Sequence, residues 1–81
     1  MYYTYIIQSV KNNRFYTGST GNLEDRFNRH QQNRSKATKG KGPWKIVYYE
    51  VFETRAEAIN KEFEIKRIGA GRFLNAKDPP G

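Results

Sequence analysis

Glu62 is the residue whose position first asks for a chemical explanation. When residues 55–68 are placed on a helical wheel at about 100° per residue, Ala58, Ile59, Phe63 and Ile65 define one apolar arc. Glu62 and Lys66 fall inside that arc, whereas Glu57 and Glu64 fall on the solvent side. A carboxylate turned toward a core is costly unless a cation or hydrogen bonds compensate it. Three readings follow: an i,i+4 ion pair with Lys66, a place near the rim of the arc that reaches solvent, or an oxygen ligand for a hard divalent cation in a cleft beside a sheet. A second constellation stands upstream, where Arg26 and His30 are spaced four apart and share one helix face. An Arg can offer a phosphate a planar, bidentate pair of donors that Lys cannot imitate. A single His on such a helix reads as exposed.

The rest of the composition narrows the chemistry. The 81 residues contain no cysteine and one histidine, which excludes disulfides, zinc–thiolate centres, cysteine nucleophiles and multi-histidine metal sites. Any metal must use oxygen ligands. Fifteen Lys and Arg against eight Asp and Glu give a net charge of +7. Residues 1–40 carry seven basic and two acidic side chains, and residues 41–81 carry eight and six, so the first half holds most of the excess. Arg26, Arg29, Arg34, Lys36, Lys39, Lys41 and Lys45 follow one another with no acid between them. The stretch reads as a basic loop rather than a helix face. Such a loop suits a polyanion, because each phosphate it neutralises releases condensed counterions. Six Tyr and five Phe mark a folded chain rather than a disordered basic tail. One small domain over residues 1–77 with an irregular tail at 78–81 is expected, too small for a large substrate cavity. The N-terminus has neither a basic leader nor a long apolar run, which leads to the expectation of a soluble, cytoplasmic protein.

These residues need elements to position them. Tyr2–Gln8 alternates two faces, Tyr3/Tyr5/Ile7 and Tyr2/Thr4/Ile6, as a strand does. A polar turn leads to a short strand at Phe15–Thr17 ending at Gly18, which completes a hairpin. Asn22 is an N-cap for a helix over Leu23–Gln32, with Glu24 and Asp25 in its first turn and Leu23 and Phe27 as its apolar stripe. Trp44–Phe52 is the strand richest in branched and aromatic residues and is expected at the sheet centre, with Trp44 as a core plug. Thr54-Arg-Ala-Glu57 is a capping box that opens the helix of Glu62, and Gly69-Ala-Gly71 closes it, followed by a short turn at Arg72–Ala76. Taken alone, Tyr5 and Tyr16 would be ordinary half-buried strand residues.

In order and at these spacings, the pieces resemble the GIY-YIG nuclease family. Tyr3-Thr4-Tyr5 and Tyr16-Thr17-Gly18 stand where that family has Gly-Ile-Tyr and Tyr-Ile-Gly, and Gly18 through Arg26, with Arg29-His30, is similar to its glycine turn and arginine helix. Gly42 through Glu50, Ala56-Glu-Ala58 and Lys61-Glu62 resemble the small stand-alone bacterial members. The resemblance implies an α+β fold, a three-stranded antiparallel sheet flanked by helices in the order ββαβα with a short C-terminal helix. It implies a divalent-metal-dependent endonuclease that cuts DNA phosphodiester bonds, structure-selective or weakly sequence-specific, with repair or recombination as its setting. Glu62 would anchor one Mg²⁺ or Mn²⁺, Arg26 would contact the scissile phosphate, Tyr5 and Tyr16 would orient or deprotonate the attacking water, and His30 would assist. Tyrosine is a poor base at neutral pH, and proximity to Arg26 and the metal is expected to lower its pKa. Arg29, Arg34, Lys36, Lys39, Lys41 and Lys45 would grip the backbone of DNA, with RNA as an alternative, and Asn75 matches a polar residue late in the domain. No appended recognition domain is evident, so specificity is expected to come from DNA structure, a protein partner or a homodimer. The alternative to the enzyme is a non-catalytic nucleic-acid-binding module that keeps the same fold.

Overall fold

A computed structural model describes residues 1–33, 36 and 38–77. Strands β1 (Tyr2–Ser9) and β2 (Phe15–Thr20) form the hairpin, followed by α1 (Leu23–Gln31), β3 (Trp44–Phe52), α2 (Arg55–Ile68) and α3 (Ala70–Lys77). The sheet is antiparallel with strand order β2-β1-β3, and the fold is the expected α+β arrangement, ββαβαα. The last turn foreseen at Arg72–Ala76 is a two-turn helix that begins directly after Gly69. The predicted tail at 78–81 lies outside the described residues. Among the described residues, no helix is long and apolar enough to cross a membrane.

The central strand is β1, and β3, placed at the centre from its composition, is an edge. The reason lies in two-sided burial. Thr4, Tyr5, Ile6 and Ile7 are consecutive and all fully buried, which only a strand covered on both faces can achieve. β3 leaves Ile46, Tyr49 and Val51 exposed. Branched and aromatic content marks a strand without distinguishing centre from edge. A register shift between Ile6 and Ile7 offsets the two halves of the β1–β3 ladder.

The alternation of β1 divides the core into two small clusters. Tyr5 and Ile7 pack with Trp44 under Leu23 and Phe27 of α1. Ile6 packs with Ile65 of α2 and Phe73 of α3 on the opposite face. Thr4 Oγ1 donates to the Ala58 carbonyl at 2.6 Å and pins α2 to the central strand. The Gln31 side chain pairs with both backbone groups of Trp44, accepting from N at 2.6 Å and donating to O at 2.9 Å, and ties the end of α1 to β3. Trp44 is the buried plug expected of it, 4% exposed. Both helix caps form as the sequence specifies: Asn22 accepts from Asp25 N–H, and Thr54 and Glu57 complete a reciprocal capping box.

The apolar arc of α2 is rotated from its expected position. Ala58 and Ile65 are buried, but Phe63 is 62% exposed, so the helix buries a face centred between Ala58 and Ile65. With small Ala58 and the short Thr4 hydroxyl in contact, the helix sits close to the sheet there, and Phe63 projects beyond the contact. Ile65→Ala is therefore expected to lower stability by about 2–4 kcal/mol, whereas Phe63→Ala changes it by no more than about 0.5 kcal/mol. Urea denaturation of the two variants checks the orientation, and a larger loss for Phe63 would reverse it.

Candidate active site

Tyr5 is the pivot of the site. It pairs with Gly18 across the β1–β2 ladder, and its ring crosses above that glycine. A Cβ at Gly18 would stand 2.6 Å from the Tyr5 hydroxyl oxygen and 2.9 Å from Cζ. The glycine is thus required by the tyrosine ring. The strand continues past it to Thr20, beyond the expected end, and this places Ser19 on the opposite face.

The Tyr5 hydroxyl lies 2.8 Å from His30 Nε2, and His30 Nδ1 lies 2.7 Å from Thr38 Oγ1. All three residues are fully buried. The expectation of an exposed His30 is corrected here: the last turn of α1 drives its imidazole between the two tyrosines. Ring centroids are 5.0 Å apart for Tyr16–His30, 5.9 Å for Tyr5–His30 and 6.5 Å for Tyr5–Tyr16. Arg26, one helical turn before His30 and half-buried, presents its charge to both groups and a hydrogen bond to the Tyr5 oxygen.

Glu62 reaches the same place from the other side of the sheet. Its Oε1 accepts from Ser19 Oγ at 2.7 Å and its Oε2 pairs with Lys66 Nζ at 2.7 Å. Its side chain is 16% exposed, half-sunk beside β2 as the wheel predicts, and the ion pair with Lys66 is formed. The site therefore straddles the free edge of β2, tyrosines above and carboxylate below. A shallow groove of about 560 Å³ lined by Arg14, Phe15, Tyr16, Thr17, Lys66 and Ala70 runs along that edge.

Electrostatics give the site two neutral partners. Burial pushes the Tyr5 phenol well above its usual value, the neighbouring Tyr16 and Glu62 add to this, and the charge and hydrogen bond of Arg26 oppose it without prevailing. Arg26 acts in the expected direction, but burial outweighs it in the protein alone. Burial, then the Arg26 charge, lowers the His30 pKa. At neutral pH the phenol keeps its proton and the imidazole lacks one. Among the described residues, no three His, Asp or Glu side chains cluster as a multi-carboxylate metal centre would. The donor set, the Glu62 carboxylate beside the Ser19 hydroxyl, is made of hard oxygens and fits a cation that keeps most of its waters.

The remaining sequence candidates lie outside this cluster. Arg29 pairs with Asp25 at 3.3 Å on the exposed side of α1, so the basic stretch begins on a helix rather than in a loop. Lys36, Lys39, Lys41 and Lys45 are exposed, Arg34 lies outside the described residues, and Asn75 is exposed on α3. Ser19 and Thr38 went unnoticed in the sequence. Ser19 could have been found by extending β2 by two residues. Thr38 has no local signal, because its partner is eight residues away on a helix.

The GIY-YIG catalytic domain model matches residues 1–75. The chain belongs to the GIY-YIG family. It is 44% identical over 75 residues to a UPF0213 protein of Clostridium perfringens, covering 91% of this chain and 80% of that one. A UPF0213 protein of Staphylococcus haemolyticus is 41% identical over 74 residues, covering 90% and 89%. The solution NMR structure of a UPF0213 protein from Bacillus halodurans superposes with a TM-score of 0.60 at 29% identity, covering 99% of this chain and 89% of that one. The GIY-YIG family is one of endonucleases, and its two half-motifs are here the paired strands that bring Tyr5, Gly18 and Tyr16 together.

The contact of Tyr5 with Gly18 makes a direct expectation. Gly18→Ala should displace the phenol, cost about 1–3 kcal/mol from overpacking, and abolish nuclear Overhauser contacts between the Tyr5 and His30 rings. Unchanged contacts and stability would contradict the geometry.

Proposed function

We propose that this GIY-YIG protein is a divalent-metal-dependent endonuclease that hydrolyses phosphodiester bonds of DNA, selecting structure more than sequence, with a role in repair or recombination. The observation that carries the reading is the convergence of Tyr5, Tyr16, His30, Arg26 and Glu62 on one edge of the sheet from four separate elements. Structural packing alone gives no reason to gather a raised phenol, a neutral imidazole, a guanidinium and a carboxylate.

The chain's own residues divide the work. Tyr5 donates its proton to His30 Nε2 as its oxygen takes one from the attacking water, so the phenol need not be ionised beforehand. Tyr16, less buried and beside the same imidazole, orients that water. Arg26 offers its fork of donors to the non-bridging phosphate oxygens. Glu62, with Ser19 holding one oxygen, would hold a Mg²⁺ or Mn²⁺ ion. When bound, that ion supplies Lewis-acid stabilisation of charge on the phosphoryl and leaving oxygens. Lys36, Lys39, Lys41 and Lys45 provide exposed charge for the flanking backbone, which makes binding strongly salt-dependent. An open edge suits a polymer, and specificity then rests on the shape of the DNA or on a partner or second copy.

Labelled duplex, flap, junction and single-stranded DNA, with RNA counterparts, should be incubated with Mg²⁺, Mn²⁺ or EDTA. Cleavage is expected with metal only, falling by roughly 100-fold or more in Arg26→Ala and Glu62→Ala proteins that keep wild-type melting curves. Binding without cleavage on every substrate would favour the non-catalytic module, and equal cleavage by the variants would refute the site.

A further inference from the structure

Thr38 is fully buried, although its described neighbours Lys36, Lys39 and Gly40 are exposed. A hydroxyl removed from water is costly unless its hydrogen bonds are replaced, and the replacement here is His30 Nδ1 at 2.7 Å. The segment around it is anchored to deliver it. Lys41 N–H donates to the Thr38 carbonyl at 3.2 Å, Gly40 N–H donates to Asn33 Oδ1 at 3.0 Å, and Ser9 Oγ donates to the Lys41 carbonyl at 2.6 Å.

Hydrogen-bond bookkeeping then fixes the proton positions. Among the described residues the Tyr5 hydroxyl has His30 Nε2, 2.8 Å away, as its hydrogen-bond partner, and a buried phenol proton without an acceptor is costly, so that proton points at Nε2. Nε2 must accept. Burial and the nearby guanidinium keep the imidazole neutral, so its one proton is on Nδ1, where it donates to Thr38 Oγ1. Without the Thr38 hydroxyl, Nδ1 would lose the acceptor it has among the described residues, and the other tautomer would compete, with a proton on Nε2 facing the phenol.

We propose that Thr38 is a positioning residue whose hydroxyl holds His30 in the Nδ1-protonated tautomer, leaving Nε2 open to receive the Tyr5 proton. Thr38 also joins the lysine-bearing segment to the tyrosine–histidine pair, so the surface that would meet DNA is braced against the group that would activate water. The tautomer assignment stands on the geometry, and only its effect on rate rests on the nuclease reading.

The chain has one histidine, so ¹⁵N-histidine labelling of the full-length protein reports His30 without overlap. At pH 7, the expected spectrum has Nδ1 protonated and Nε2 bare. Thr38→Val should shift it toward Nε2 protonation, and Thr38→Ser should keep the wild-type pattern. In cleavage assays, Thr38→Val should lower kcat roughly tenfold or more with KM for DNA unchanged, and Thr38→Ser should restore it. A wild-type spectrum with Nε2 protonated, or a folded Thr38→Val protein with the wild-type tautomer, overturns the proposal. Should Thr38→Val fail to fold, the wild-type and Thr38→Ser spectra decide alone. A wild-type chain that cuts nothing yet has the Nδ1-protonated tautomer supports the positioning role and refutes the nuclease reading instead.

Discussion

The hydrogen bond from the Tyr5 hydroxyl to His30, made across the face of Gly18, constrains more of this molecule than any other contact. It requires that position 18 have no side chain, that α1 end with its last turn pressed on the sheet, and that the following segment fold back to give His30 a second partner. It also requires that α1 cover this face of β1, since Leu23 and Phe27 pack on the cluster that buries the ring. The two paired half-motifs of the family are, in physical terms, the two walls of this one tyrosine.

Much of this was legible in the sequence, and the misses have specific causes. Alternation gave both faces of β1 correctly, and the caps at Asn22 and Thr54 located both long helices, because each signal is local. Glu62 stood out because a carboxylate in an apolar arc violates a local rule, and the structure leaves it 16% exposed beside β2. The centrality of β1 over β3, the burial of His30 and the partner of Thr38 depend on which surfaces meet, information that no window of the chain contains. The raised Tyr5 phenol belongs with these. Proximity to Arg26 could be inferred, but the depth of burial that outweighs it could not.

The charge of +7 is divided between two tasks. Arg26 and Lys66 are spent inside the site, on the phenol and on Glu62, while Lys36, Lys39, Lys41 and Lys45 face solvent. The groove at the free edge of β2 is lined by Tyr16 of the sheet and by Lys66 and Ala70 of the helices on its other face.

The central claim is that residues from both faces form one site at that edge with Glu62 as its metal-holding oxygen donor. Titrating ¹⁵N-labelled protein with Mn²⁺ tests it most directly through paramagnetic broadening. The account predicts that the amides of Ser19, Glu62 and the neighbouring edge of β2 broaden first, and that Glu62→Gln abolishes the effect. First broadening at the acidic first turn of α1, around Glu24 and Asp25, or an unchanged response in the variant, would contradict it.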